Sequence, residues 1–172
     1  YQQALDRLAS SMHSGEGNDF QQFRQLLKRM TMKSSARNQF VGTLTALRTG
    51  QVDFEACLKL DDENELVAVI TRESAEALEL AIDVEILALV KSSSILLLTD
   101  PAIKTTARNH LWGQITRIHD GPVNAEVTLT LASGKTVCAV VTHDSVERLE
   151  LVVGQRACAV FKASSVILCR HA

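Results

Sequence analysis

The sequence is poor in aromatic residues, since Phe, Tyr and Trp together make up 4% of its 172 residues. A surface that binds nucleic acid needs a stripe of basic residues and usually aromatic rings on which bases stack. The formal net charge of −2 supplies no such basic surface. These two deficits argue against a nucleic-acid-binding barrel and indicate that any ligand is small.

Long apolar runs are also missing. No segment approaches the roughly 18 consecutive apolar residues that a membrane-spanning helix requires. The residues after Tyr1 include Gln, Asp and Arg, and they lack the apolar core of a secretory signal peptide. We therefore expect a cytoplasmic protein that makes no membrane contact. Because the sequence does not begin with Met, we also expect residues upstream of Tyr1.

The cysteines show no metal-binding pattern. They include no Cys-x-x-Cys pair, and none has a His at the spacing of a metal ligand. Each lies in or beside an apolar segment that is typical of a strand, so we expect reduced and mostly buried thiols. The four residues are Cys57, Cys138, Cys158 and Cys169.

The chain does contain an internal repeat with an offset of 71 residues. Ser35-Ala-Arg-Asn38 aligns with Thr106-Ala-Arg-Asn109, and the alignment continues without a gap to Thr99. Of the 65 aligned positions, 23 are identical. A repeat of about 65 residues is close to the smallest size that supports its own core, so we expect the copies to pack together or against another subunit.

Apolar residues alternate with a period of two in each repeat, which predicts strands. The predicted strands of the first repeat are Gln39–Leu47, Phe54–Leu60, Glu65–Ile70, Glu85–Lys91 and Ser94–Thr99. Those of the second are Leu111–Ile118, Ala125–Leu131, Thr136–Val141, Arg156–Lys162 and Ser165–Cys169. Thr71 and Thr142 are predicted N-caps of short helices between the third and fourth strands. The fold class is therefore mainly β, with two tandem OB-like five-stranded barrels as domains 35–104 and 105–172.

Residues 1–34 have a different pattern. Apolar residues recur at helical spacing on both sides of Gly15 and Gly17, which predicts a short α-helical hairpin ahead of the barrels. The apolar stripe of this hairpin must be buried. It either packs on its own barrel, or it forms a dimerisation element or the end of an upstream domain.

Both repeats retain the same polar set, which consists of a Ser/Thr-x-Arg, a Thr-x-x-Ser at a helix start and a Lys at a strand end. All of these groups donate hydrogen bonds, and a helix N-terminus adds free N–H groups and a favourable dipole. Two cations balance a divalent tetrahedral anion, while the neutral donors satisfy its remaining lone pairs. The pattern therefore predicts an oxyanion site.

Catalysis finds little support in the sequence. No Ser-His-Asp or Cys-His set recurs in the two repeats, and no Gly-rich loop is present that would cradle a phosphate. Glu76 and Glu79 recur as Glu147 and Glu150, at positions that predict exposure to solvent. We expect a binding protein and not an enzyme.

The residues Ser35-Ala-Arg-Asn-Gln39, together with Gly42, Thr71-x-x-Ser74 and Lys91, resemble the molybdate-binding Mop domain of the Mop/TOBE family. The resemblance extends from Ser35 to about Cys169 and includes two tandem copies. It implies OB-like barrels that bind molybdate or tungstate at interfaces between barrels, usually between subunits. It implies no organic cofactor and no cation ligands.

The resemblance also implies individual roles. Ser35 and Arg37 would hold the anion through hydroxyl, guanidinium and main-chain N–H groups, and Lys91 would add the second charge beside the amide of Ser92. Thr71 and Ser74 would contribute hydroxyls from the facing barrel. The matching positions of a second candidate site are Thr106, Arg108, Thr142, Ser145, Lys162 and Ala163. Because Gln39 is replaced by His110 and Ser92 by Ala163, the sequence leaves open whether both copies bind.

Members of the family differ in whether a helical segment precedes the first barrel. Its molybdate-responsive transcriptional regulators join a winged helix-turn-helix to two Mop domains through helices, whereas its storage proteins begin almost directly at the barrel. The resemblance therefore favours the effector part of a regulator of molybdate uptake, with DNA bound only through a missing N-terminal region. We expect a homo-oligomer, preferably a dimer, and molybdate storage is the alternative function.

Overall fold

The computed structural model describes residues 34–51 and 53–170, and the predicted helical hairpin lies outside the described residues. The described chain is mainly β. In the first repeat the strands are β1 (Asn38–Thr49), β2 (Asp53–Lys59), β3 (Glu65–Thr71), β4 (Glu85–Val90) and β5 (Leu96–Leu98), with helix α1 (Arg72–Ala77). In the second they are β6 (Asn109–Asp120), β7 (Asn124–Leu131), β8 (Thr136–Thr142), β9 (Arg156–Phe161) and β10 (Val166–Cys169), with helix α2 (His143–Arg148).

The strands form two five-stranded sheets that exchange their last strands. One sheet has the order β10-β4-β1-β2-β3, and the other has the order β5-β9-β6-β7-β8. Val166 of β10 thus pairs with Val90 of β4, and Leu96 of β5 pairs with Val160 of β9. Each sheet therefore contains four strands of one repeat and the fifth strand of the other.

The first strand of each repeat is long because it is shared by two partners. The first half of β1 pairs with β4, and its second half pairs with β2. The register shifts between Leu44 and Ala46 on β1, and between Ile115 and Arg117 at the equivalent place on β6. Such bulges bend a strand and increase its twist, which lets one long strand serve both sides of a curled sheet.

The two repeats share one core. Leu44 and Leu58 of the first repeat and Ile115 and Leu129 of the second are fully buried and belong to the same hydrophobic cluster. The chain from Ser35 onwards accordingly forms one compact unit. The proposed domain boundary between residues 104 and 105 falls in the segment that links β5 to β6.

Candidate oxyanion site

Arg37 and Lys91 lie at the same end of the first sheet. The antiparallel register pairs Asn38 with Val90, so the residue before Asn38 and the residue after Val90 are neighbours across the ends of β1 and β4. Both side chains are exposed, as is Ser35. The structure therefore brings together the two cations that the sequence assigned to the first candidate site.

The second repeat has the same arrangement. Asn109 pairs with Phe161, which places Arg108 beside Lys162 at the ends of β6 and β9. Thr106, Arg108 and Lys162 are exposed. Each repeat thus presents two adjacent cations next to one hydroxyl residue.

A single 3-10 turn follows the lysine in each repeat and contacts the other repeat. The turn Ser92–Ser94 packs against β8, and the turn Ala163–Ser165 packs against β3. Ala163 is buried in a small cluster with Cys57 and Val67. Ser92 is half-buried. The cationic end of each repeat therefore lies at the boundary between the repeats.

The threonine and serine of each Thr-x-x-Ser motif cap a short helix. Thr71 Oγ1 accepts a hydrogen bond from Ser74 N at 3.3 Å, and its hydroxyl donates to Ser74 Oγ at 3.0 Å. Thr142 and Ser145 repeat this cap at 3.2 Å, with 2.7 Å between their hydroxyl oxygens. The predicted N-caps of both helices are thus confirmed.

These caps do not lie beside the cations of their own repeat. Thr71 pairs with Asp53 at the end of the sheet where β1 finishes, whereas Arg37 precedes the start of β1. About 35 Å of strand path separates the two ends. Within one repeat, the structure therefore does not bring Thr71 and Ser74 to Arg37 and Lys91.

The arginines of both motifs reach across to a glutamate of the other repeat. The Arg37 guanidinium forms an ion pair with Glu126 on β7. Arg108 Nη1 lies 3.0 Å from Oε2 of Glu55 on β2. Glu55 and Glu126 occupy equivalent positions of the repeat. The same ion pair therefore forms twice, and each repeat supplies the arginine of one pair and the glutamate of the other.

The asparagines of the two motifs also cross the boundary. The Asn38 side chain donates to Cys138 O at 2.8 Å and accepts from Cys138 N at 2.7 Å. Asn109 makes the same pair of bonds with Val67, at 2.8 and 2.7 Å. Both asparagines are buried. Each side-chain amide thus occupies a main-chain hydrogen-bonding position on the edge strand of the other sheet.

Sequence reasoning missed the roles of these glutamates and asparagines. Glu76, Glu79 and their counterparts are exposed, as expected, but Glu55 and Glu126 are a further carboxylate pair that both repeats share. Identity at an offset of 71 residues was a usable signal for them. It did not show that the two glutamates face the arginines of the opposite repeat, because an alignment carries no information about cross-repeat contacts.

Burial raises the pKa of the four described thiols above the usual value of a cysteine. It raises the pKa of Cys158 to about 11, and Cys158 is fully buried. Burial also raises the pKa of Cys138, and the nearby Glu126 carboxylate raises it further. None of the four cysteines forms a disulfide, and two of them are buried while the other two are half-buried.

The residue after each N-cap ties its helix to the end of the first strand of its repeat. Arg72 Nη2 donates to Gly50 O at 2.8 Å in the first repeat. In the second repeat, His143 Nδ1 lies 2.9 Å from Asp120 Oδ1. The hydrogen bond with Asp120, followed by the carboxylate charge, raises the pKa of His143 above 6.5. The His replacement therefore makes this contact sensitive to pH.

In the part of the chain that the structure describes, no three His, Cys, Asp or Glu residues are grouped so as to hold a metal ion. Among the same residues, no helix has both the length and the apolar character needed to cross a membrane.

Comparison with protein families matches the TOBE domain model twice, at residues 34–97 and 105–168. Over 168 residues, the chain is 58% identical to the molybdenum transport protein ModE of Azotobacter vinelandii, covering 98% of this chain and 62% of that protein. It is 43% identical to the molybdenum-pterin-binding protein MopA of Rhodobacter capsulatus, covering 81% of this chain and 53% of that protein. The chain thus spans about half to three fifths of the length of these relatives.

A solved structure has the same fold over both repeats. It is the cytoplasmic molybdate-binding protein ModG with molybdate bound, which is 46% identical and superimposes with a TM-score of 0.77. The match covers 80% of this chain and 98% of that protein. The mainly β fold of two tandem OB-like barrels is thereby confirmed.

Proposed function

Because the chain belongs to the TOBE domain family, we propose that it binds molybdate or tungstate as the cytoplasmic effector part of a molybdate-responsive transcriptional regulator. It acts by binding and not by catalysis. The similarity to the DNA-binding transcriptional dual regulator ModE of Escherichia coli, which is 35% identical over 143 residues, supports the regulatory role. DNA would be bound by an N-terminal winged helix-turn-helix that is not part of this sequence.

The observation that carries this proposal is the pair of adjacent cations at the ends of β1 and β4. Arg37 and Lys91 together match the charge of a divalent tetrahedral anion, and the hydroxyl of Ser35 lies in the same segment as Arg37. Charge-assisted hydrogen bonds contribute about 1.5 to 3 kcal/mol each, and neutral ones contribute about half as much. We therefore expect the two cations to dominate the affinity.

The complete first site requires two chains. The proposed ligands are Ser35, Arg37, Thr71, Ser74, Lys91 and Ser92, and they lie at opposite ends of one sheet. A single copy cannot bring these two groups together around an ion a few ångströms wide. We propose that the Arg37 end of one chain faces the Thr71 end of a second chain in a homodimer. Thr106, Arg108, Thr142, Ser145, Lys162 and Ala163 would form the equivalent second site.

Calorimetric titration with molybdate, with sulfate as the competitor, tests this function. We expect molybdate to bind and Arg37→Ala to weaken binding tenfold or more, because it removes one of the two charged ligands. Lys104→Ala removes a positive charge from the exposed linker between the repeats and is the matched control. An absence of heat with molybdate, or equal affinity for sulfate, would refute the proposal.

Molybdate storage is the second candidate function. It is favoured by the similarity to ModG, whose whole length is almost covered by the two repeats. Storage predicts more bound anions per chain and a larger oligomer than an effector dimer. Measuring the mass and the anion stoichiometry in solution, with and without molybdate, separates the two.

A further inference from the structure

We propose that Glu126 is a positioning residue for the first anion site, and that Glu55 has the same role for the second. The two glutamates would fix the segments that carry Arg37 and Arg108 by ion pairs across the boundary between the repeats. This inference rests on the proposed function and concerns how the ligands of each site are oriented before the anion binds.

The Glu126 side chain contacts Arg37 and is mostly shielded from solvent. Its side chain is 15% exposed, and it pairs with Arg37 and, at 2.9 Å, with Arg117. Glu55 is 22% exposed and pairs with Arg108 at 3.0 Å and Arg48 at 3.5 Å. A carboxylate that is mostly buried needs such partners, because burial of an unpaired charge is costly.

Each glutamate pairs with two arginines, and the two repeats share only one of these ion pairs. The Arg37–Glu126 pair recurs at equivalent positions as Arg108–Glu55. The additional arginines, Arg117 and Arg48, are not equivalent, because Arg48 aligns with His119. The duplicated chain has therefore kept the cross-repeat pair while it changed the second partner of the glutamate.

The ion pair acts next to a second anchor. Asn38, which follows Arg37, is held by Cys138 of the other repeat through two hydrogen bonds. Ser35 and Arg37 precede β1 and lie outside the sheet. With Glu126 as partner, two consecutive side chains tie this segment to the second repeat. The orientation of the Ser35 and Arg37 donors is therefore set by the neighbouring repeat.

Replacing Glu126 by Gln tests this inference, because Gln keeps the shape and removes the charge. We expect Glu126→Gln to raise the Kd for molybdate about tenfold, the lower end of what partners of ligating groups contribute in metal sites. Glu126→Asp, which keeps the charge, should recover part of the loss. Glu63→Gln removes an exposed carboxylate from the β2–β3 turn and should leave the Kd unchanged.

A double-mutant cycle distinguishes positioning from a general loss of charge. If Glu126 acts through Arg37, Glu126→Gln will weaken binding in the wild-type background and have little further effect in Arg37→Ala. Independent, additive losses would overturn the inference. A Kd for Glu126→Gln that is unchanged or tighter would overturn it too, since it would show that the glutamate is idle or competes with the anion.

The ion pair also has a readout that does not need the anion. Backbone amide chemical shifts of Ser35, Ala36 and Arg37 should change in Glu126→Gln, whereas those of Thr106 to Arg108 should not. If wild-type protein binds no molybdate, the proposed function fails while this measurement still tests the anchoring. If wild-type protein binds and neither the shifts nor the Kd respond, the positioning role alone fails.

Discussion

At the scale of single residues, the molecule depends on polar side chains that cross from one repeat to the other. The motifs at residues 35–38 and 106–109 each contain an arginine and an asparagine. All four of these side chains contact the opposite repeat. The arginines lie at the surface, whereas the asparagines are buried. The motif therefore combines candidate anion ligands with residues that join the repeats.

Asn109→Ala should destabilise the fold. The substitution leaves the N–H and C=O of Val67 buried without their partners, and it removes two hydrogen bonds. Each buried unsatisfied group costs about 1 to 3 kcal/mol, so we expect the two groups together to cost about 2 to 6 kcal/mol. Denaturant unfolding measures it, with Asn124→Ala at an exposed strand start as the control. Equal stability of the two variants would show that the cross-repeat bonds contribute nothing.

The contact between His143 and Asp120 should depend on pH. Because the pKa of His143 is raised in the folded state, its pairing stabilises the protein fully below the unfolded value of about 6.5. The contribution is lost as the pH rises through the folded pKa. Titration followed by histidine chemical shifts should give a pKa above 6.5, and Asp120→Asn should lower it. A pKa unaffected by Asp120→Asn would contradict the assignment of the shift to this contact.

Some of these roles could be predicted from residue types and some could not. Thr71 and Thr142 were identified as helix caps because capping is local and has a sequence signature. The partners of Asn38 and Asn109 are 100 and 42 residues away in sequence. No local pattern identifies such partners, and an Asn in a motif is equally consistent with ligand binding.

At the scale of strands and helices, the alternation of apolar residues predicted every strand to within a few residues. It did not predict the exchange of β5 and β10. Each repeat supplies one of these strands, and in both of them buried and exposed residues alternate. Such a pattern is compatible with pairing in either sheet. A repeat alignment shows that a fifth strand exists in each copy and says nothing about which sheet it joins.

Glycines on the long strands mark places where another strand approaches closely. A Cβ on Gly113 would lie 2.7 Å from Thr130 O, which is main chain and cannot move away without distorting β7. Overpacking of this kind costs about 1 to 3 kcal/mol, and we expect Gly113→Ala to lose that amount in thermal or denaturant unfolding. Gly134→Ala is the comparison, because a Cβ there meets open space while the backbone φ is +82°. Its loss of stability reports backbone strain alone, whereas that of Gly113→Ala reports the steric clash. Full stability of Gly113→Ala would show that β6 and β7 can separate freely.

At the scale of the whole molecule, one chain carries the two kinds of half-site at different ends of each sheet. The cationic ends lie at the boundary between the repeats, and the Thr-x-x-Ser caps lie at the far ends of the same sheets. The sequence identified the members of both groups from their recurrence. Their separation depends on strand register, which the sequence alone does not give.

The central claim is that the Arg37 end of one chain and the Thr71 end of another enclose the anion. It is tested most directly by co-expressing two differently tagged variants, Arg37→Ala/Lys91→Ala and Thr71→Ala/Ser74→Ala, and purifying the mixed complex. Both chains also carry Arg108→Ala and Lys162→Ala to silence the second repeat. We expect the mixed complex to bind one ion per pair of chains, and each variant alone to bind molybdate about tenfold more weakly or worse. Binding by the Thr71→Ala/Ser74→Ala variant alone that is as tight as binding by the mixed complex, or no binding by the mixed complex, would contradict the claim.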